Sequence, residues 1–402
     1  MAFFSGTIAP DVLIGSHSAT DGFFFAAGEL SVVDIVQGGV DYGDFLQFTT
    51  PVSLDSTAFY GVTGIESIIL HDEGYNEIEL SSLPGIGGLT NSDTAGSAAL
   101  NHLTIWGGDA GNTIDASTVL HFHVTLEIIG GSSDDSIFSG NGADILDGRE
   151  GNDRIESGAG NDAVVGGSGR DTVLGSKGDD TIFGGQGNDE LHGSGDNDEL
   201  YGEDGEDWLN GGGGNDFLDG GNHNDTLYGD RGNDTLLGFD GIDYLYAGSG
   251  ADSLNGGANN DILLGEGGQD IVEGGEGNDT LLGNGQSDTL LGDAGEDVLF
   301  GGNHNDYLTG GSDNDTMSGE GGQDTFFFER NSGHDVINDF VEGLGSQADI
   351  IDLTSFTEFE EIADLTMSFD GTNTTIEFDS DHSISLLGVD SSLLVSSNFI
   401  FA

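Results

Sequence analysis

An all-β solenoid, with one short strand and one tight turn in every nine residues, is the fold this sequence predicts. Three observations predict it. Every ninth residue from Asp135 to Asp324 is Asp, and (324 − 135)/9 = 21 intervals makes 22 consecutive repeats with no insertion. The residue two places after each Asp is apolar in all 22, running from Ile137, Leu146 and Ile155 to Met317 and Phe326. Five places before the Asp, 19 of 22 residues are Gly (Ser139, Ser157 and Ala247 are the exceptions), and two places before it 15 of 22 are Gly.

The unit reads G-G-x-G-N-D-x-L-x, and each part has a physical reason. One inward apolar residue between two outward ones makes a three-residue strand. The Gly/Asn/Asp-rich remainder makes a tight turn, where glycine reaches positive φ at little steric cost. One such strand cannot bury its side chain alone, whereas stacked copies form a continuous Leu/Ile/Val ladder. Strand-turn-strand-turn closes a coil in 18 residues, so 22 repeats make 11 coils, roughly 50 Å at ~4.8 Å per coil. A glycine-rich disordered acidic linker is the alternative, and it leaves the apolar spacing unexplained.

Stacking puts Asp on Asp. Asp135, Asp153, Asp171, Asp189, Asp207, Asp225, Asp243, Asp261, Asp279, Asp297 and Asp315 line one edge; Asp144, Asp162, Asp180, Asp198, Asp216, Asp234, Asp252, Asp270, Asp288, Asp306 and Asp324 line the other. Neighbouring carboxylates ~4.8 Å apart repel by ~1 kcal/mol in water and ~3–4 kcal/mol at an effective dielectric of 20. Summed along both edges, this rivals the ~5–15 kcal/mol stability of a whole domain. A metal-free stack is therefore expected to be marginal or unfolded. A hard divalent cation reverses the sign, and carboxylates with turn carbonyls offer the all-oxygen shell that Ca²⁺ accepts and Mg²⁺ fits poorly.

These repeats resemble the RTX (repeats-in-toxin) family of Gram-negative bacterial proteins, whose nonapeptide is G-G-x-G-x-D-x-U-x. The resemblance covers about residues 130–328. It implies a right-handed parallel β-roll in which calcium lies between loops one coil apart, held by the repeat Asp side chains and turn carbonyls. The 22 Asp residues then map one by one onto the ligand position. Ten gaps per edge imply roughly 20 calcium ions. Turns in which the inner Gly is replaced, at Asp196, His223, Asn259, Gln286, His304 and Asp313, are expected to bind more weakly.

The flanks differ. Residues 1–129 contain no Lys or Arg and read as short β segments (Val32–Val36, Phe45–Phe48, Ile65–Leu70, Ile78–Leu80, Leu103–Trp106 and Val124–Ile129). Decayed repeats show at Gly43-Asp44-Phe45-Leu46 and at Gly107-Gly108-Asp109-Ala110-Gly111-Asn112-Thr113-Ile114, where Asn112 stands near the Asp position. An irregular β-helix that caps or continues the roll is expected; an independent β domain is the alternative. Residues 329–402 break the register, with Gly333-His334-Asp335-Val336-Ile337, Asp349-Ile350-Ile351-Asp352-Leu353, Thr374–Phe378, Ile384–Leu387 and the tail Asn398-Phe399-Ile400-Phe401-Ala402. They are similar to the C-terminal flank of RTX proteins and the serralysin C-terminal domain. That resemblance implies a strand cap carrying an uncleaved type I secretion signal, and so the type I apparatus as an export partner.

Composition bounds the rest. The chain has 402 residues with 74 Asp+Glu against 6 Lys+Arg, a formal charge of −68, and no cysteine. Nucleic acid and anionic membranes are poor partners, because both need clustered cations. Disulfides, thiolate metal sites and cysteine nucleophiles are excluded. No run approaches 18 apolar residues, so no transmembrane segment is expected. The N-terminus has no basic region and no apolar core of 7–15 residues, and the first cation is Arg149, so no cleavable leader is expected.

A search for catalysis finds little. Residues 1–130 lack H-E-x-x-H and any Ser with Gly at both −2 and +2. His121-Phe122-His123 places two imidazoles on one strand face without a third ligand, and His71-Asp72-Glu73 is a common loop triplet. The sequence therefore reads as a non-enzymatic, secreted, extracellular calcium-binding protein that folds on Ca²⁺ outside the cell in a structural, adhesive or matrix role. A hydrolase or toxin active in residues 1–129 is the alternative. One outer face carries Tyr228, Tyr246, Leu264, Leu282 and Phe300 at steps of 18, beside Trp208, Tyr244, Ile262 and Val298. Such a strip suits self-association, a cell-surface or matrix partner, or cover by the flanks.

Overall fold

The strands form where the period places them. The computed structural model describes residues 102–107, 109, 111–117 and 125–402, together with eight strands of the first 101 residues, Phe3–Ser5, Val12–Ile14, Gly22–Phe25, Ile35–Gln37, Phe45–Phe48, Ser53–Leu54, Ser67–Ile69 and Asn76–Glu79. The chain divides into two compact units, Met1–Asp204 and Gly205–Ala402. Each is an all-β parallel solenoid with about 18 residues per coil; helix among the described residues is confined to three single 3₁₀ turns beyond residue 361.

Within each unit, strands one coil apart pair in parallel at a register of 18. In the first unit Leu146 faces Val164, which faces Ile182; on the opposite sheet Ile137 faces Ile155, which faces Val173. In the second unit Leu227, Leu245, Leu263, Leu281 and Leu299 form one such row. All 22 inward residues are at most 1 % exposed. All are Leu, Ile or Val until Met317 and Phe326 end the series, and the ladder is the core of the repeat region.

Many strands are longer than the three residues expected. Ile145–Glu150, Ala163–Ser168 and most strands of the second unit run for six, because pairing continues past the Gly five places before the Asp into the turn: Arg149 pairs with Gly167 and Glu150 with Ser168. Tight turns in register with one another hydrogen-bond as strands do.

In the first unit irregular coils precede the regular ones. Phe3–Ser5, Gly22–Phe25, Phe45–Phe48, Ser67–Ile69 and His102–Trp106 pair in parallel in that order, and His102–Trp106 then pairs with Thr125–Gly131. In the second unit the ladders end differently. His334–Ile337 and Ile350–Asp352 each continue one sheet in parallel. An antiparallel set, Thr366–Phe369, Thr374–Glu377 and Ser383–Leu386, then finishes one sheet, and Phe399–Ile400 finishes the other.

Candidate metal centre

In most repeats the turn is built from two positive-φ positions, four and two residues before the Asp. At the second, Gly160 has φ 143°, and a Cβ there would collide with the carbonyl oxygen of Gly142, one coil earlier. Six of the seven residues that replace Gly at this position, Asp196, His223, Asn259, Gln286, His304 and Asp313, keep the conformation at φ between 74° and 81°. Substitution there strains the backbone but preserves the turn. The Gly five places before the Asp serves a different purpose. It lies against the carboxylate: a Cβ on Gly265 would come within 2.7 Å of Asp270 Oδ2.

All 22 repeat Asp residues are at most 3 % exposed. Within each unit, beyond the first Asp on each edge, one carboxylate oxygen, Oδ1, accepts the backbone N–H of the Asp one coil earlier. Asp135 donates to Asp153, Asp153 to Asp171 and Asp144 to Asp162, each at 2.7 Å. In the second unit the same bonds run from Asp207 to Asp225 and onward to Asp324 at 2.7–2.9 Å. The other oxygen, Oδ2, is buried and makes no hydrogen bond in Asp153, Asp162, Asp171 and Asp180, and in every repeat Asp from Asp225 to Asp315. A buried carboxylate oxygen without a partner is costly, and here it recurs down two edges.

Burial raises the pKa of these groups. Asp180, Asp225, Asp261 and Asp297 are pushed up to about 8, chiefly by desolvation and secondarily by the neighbouring carboxylates, against the lowering effect of the backbone N–H. Asp153, Asp162, Asp234 and Asp270 rise to about 7, and Asp171 and Asp243 to about 6. The fold therefore favours a proton or a cation at each Oδ2. Among the described residues no three His, Cys, Asp or Glu side chains gather as one group. A cation here would draw on carboxylates one coil apart and otherwise on backbone oxygens, the donor set of a hard ion such as Ca²⁺.

Asn before the Asp also has a reason. Its side-chain oxygen accepts the N–H of the equivalent residue one coil later, as Asn152 does from Arg170, Asn233 from Ala251 and Asn278 from Glu296 at 2.8–3.0 Å. Asp and Asn side chains thus tie the coils in opposite directions. Sequence reasoning marked the Asn without finding this role.

Three further residues join the columns. Asn112 takes the Asp place before Asp135, donating its N–H and its side-chain amide to Asp135 Oδ1. Beyond the last repeats, Asp315 donates its N–H to Asp335 Oδ1 and Asp324 to Asp349 Oδ1, both at 3.0 Å. Asp335 and Asp349 lie 20 and 25 residues after their predecessors, so a strict period of nine passes over them; the Gly333-His334-Asp335-x-Ile337 core of the unit was the available signal. His71-Asp72-Glu73 and His121-Phe122-His123 lie outside the described residues. His223 and His304 are exposed turn residues at φ 81°.

The family comparison agrees with this geometry. Residues 129–337, 209 of 402, match the profile of the RTX calcium-binding nonapeptide repeat in overlapping blocks from 129–164 to 300–337. No curated protein matches the chain. Among solved structures, the extracellular lipase LipA from Serratia marcescens aligns at 19 % identity and a TM-score of 0.23, over 64 % of this chain and 45 % of the lipase, so the chain spans less than half of that relative's length. The AlgE6R3 subunit of the mannuronan C5-epimerase from Azotobacter vinelandii aligns at 26 % identity and a TM-score of 0.18, over 36 % of this chain and 80 % of the subunit.

Proposed function

Because the chain belongs to the RTX calcium-binding nonapeptide-repeat family, we propose that its 22 repeat Asp residues are calcium ligands, that roughly 20 ions load the two columns, and that loading them is what folds the repeat region. The observation that carries this reading is the recurring buried, unpartnered Oδ2. Bound calcium supplies the positive charge that these carboxylates lack. The chain's own groups do the rest. The N–H of each Asp orients the next carboxylate, the positive-φ turns bring backbone carbonyls close, and the Leu/Ile/Val ladder sets the coil spacing.

The same energetics suit export. Where free Ca²⁺ is scarce the acidic chain stays unfolded and can be threaded; outside, abundant Ca²⁺ drives folding, since only the folded chain has assembled sites. In this reading residues 1–129 are an irregular β-helical lead-in, 130–328 the calcium-binding roll, and 329–402 a cap that carries a type I secretion signal. The protein acts outside a Gram-negative cell in a structural, adhesive or matrix role. Self-association uses the outer face of Tyr228, Tyr246, Leu264, Leu282 and Phe300, which carries no charge to repel a second copy. The test is titration of the metal-free full chain followed by circular dichroism and hydrodynamic radius. Millimolar Ca²⁺ is expected to give β structure and compaction, and Mg²⁺ much less of either, because it dehydrates reluctantly. A chain fully folded in excess chelator would overturn the proposal.

A further inference from the structure

The Asp rows that open the first unit and those that close the second differ. At the start, both oxygens of the first carboxylates are occupied: Asp135 Oδ2 accepts the Gly131 N–H at 2.7 Å, and Asp144 Oδ2 accepts the Ser139 hydroxyl. In the second unit one column is closed in the same way at its end, since Asp349 Oδ1 accepts the Asp324 N–H and Oδ2 the Val341 N–H at 2.7 Å. The other column is not closed. Asp335 is 2 % exposed, its Oδ1 accepts the Asp315 N–H, and its Oδ2 makes no hydrogen bond; nor does Asp315 Oδ2. A third buried oxygen in the same turn, Ser332 Oγ, is 2 % exposed and equally unpartnered. It lies near Asp335 without a well-formed hydrogen bond to it, and draws that carboxyl's pKa down against the larger upward push of burial.

The turn around Asp335 reproduces the repeat turn without the repeat period. Gly333 has φ 78°, and a Cβ on it would meet the Asp313 carbonyl, as at the equivalent glycine of the regular turns. The His334 N–H donates to the Asn314 side-chain oxygen at 2.9 Å, the bond that Asn makes throughout the stack. Val336 and Ile337 pair with Thr316 and Met317.

We infer that Asp315, Asp335 and Ser332 form one more calcium site, outside the nonapeptide series, and that Asp349 ends its column without an ion. The inference rests on the proposal that the repeat Asp residues bind calcium. It differs from that proposal in naming a ligand carboxylate and a hydroxyl beyond the repeats and in excluding a carboxylate that looks equivalent in sequence. Asp335 stands at the end of its column and borders one gap only, whereas an interior Asp borders two.

Native mass spectrometry of the calcium-loaded full chain counts the ions. Asp335→Asn keeps the Oδ1 acceptor and replaces the unpartnered oxygen; it is expected to carry one calcium fewer than the wild type. Asp234→Ala, inside its column, is expected to carry two fewer, and Asp349→Asn the wild-type number. A wild-type chain with no calcium would sink the ligand reading itself. A wild-type chain that loads, with Asp335→Asn loading equally or Asp349→Asn losing an ion, would sink only this inference. If the charge-state distribution shows Asp335→Asn unfolded, Ser332→Ala decides. It retains both carboxylates and is expected to release one ion at a higher residual calcium concentration than the wild type; loss of calcium in step with the wild type overturns the site.

Discussion

Gly160 and Gln286 stand at the same turn position and show what it demands. Gly160 has φ 143° and leaves room for the Gly142 carbonyl; Gln286 holds φ 79° with a side chain attached. Left-handed backbone costs a non-glycine residue about 1–2 kcal/mol. Gly160→Ala is expected to lower stability by about 1–3 kcal/mol and Gln286→Gly to raise it by about 1 kcal/mol, read from urea melts at saturating calcium. The carboxylates give a second test at this scale. Their folded pKa values, about 6 to 8 in Asp153, Asp171, Asp180 and Asp234, lie above the ordinary 3.8. The fold therefore binds protons more tightly than the unfolded chain, and their contribution to stability is complete below pH ~4 and lost as pH rises through 6 to 8. Metal-free protein is expected to gain β structure between pH 8 and pH 5.5, monitored by circular dichroism. In the calcium-loaded protein protons compete with the ion, so half-loading is expected to need more calcium at pH 5.5 than at pH 8. A metal-free chain that loses structure on acidification over that range would contradict this reading.

Strands in these units are interchangeable at their inward position and individual at their outward ones. Leu, Ile or Val at the centre is dictated by the narrow interior, whereas the outer face of one sheet in the second unit has its own pattern. There Tyr228 stacks on Tyr246 with centroids 4.8 Å apart and planes 6° from parallel, and Trp208 meets Tyr228 at 5.5 Å. The rings stack along the ladder and shield one another, so they are half-buried within their own sheet; Tyr244 beside them is 41 % exposed. Stacked pairs of this kind contribute about 0.5–1.5 kcal/mol beyond their burial. Tyr246→Glu with Leu264→Glu places two charges in the row without touching a repeat Asp. The calcium count is expected to hold, the melting temperature to fall, and sedimentation to show a smaller species than the wild type. An unchanged association state would mean that the ladder packs only on itself.

For the whole molecule, charge and compartment are one question. A chain at −68 with its carboxylates buried in columns repels itself until cations arrive, which suits a protein threaded unfolded and folded on arrival. Removing the residues after Asp349 is expected to leave the protein inside the producing cell, scored by immunoblot of cells and medium; secretion at the wild-type level would place the export signal elsewhere. The same truncation deletes the strands Thr366–Phe369, Thr374–Glu377, Ser383–Leu386 and Phe399–Ile400 that end both ladders. Calcium-loaded truncated protein is therefore also expected to melt at a lower temperature, since a solenoid needs a capped end.

What the sequence determined is everything that follows from period. Nine residues with an apolar centre and a glycine-rich turn permit one way of burying that centre, so the coil, the core ladder and the two Asp edges could be read before any coordinates. The tertiary structure decided what period cannot carry. Pairing continues through the turns and lengthens the strands, because the positive-φ residues still meet their counterparts one coil away. Asn112 and Asp335 enter a column because of where the chain returns after an irregular excursion, and sequence distance does not measure that return. Asp335 and Asp349 look alike in sequence, each followed two residues later by an isoleucine. They part only in three dimensions, where the Val341 N–H reaches Asp349 Oδ2 and Asp335 Oδ2 makes no hydrogen bond. Whether a buried oxygen has a partner depends on groups brought in from elsewhere in the chain, and that is a property of the fold.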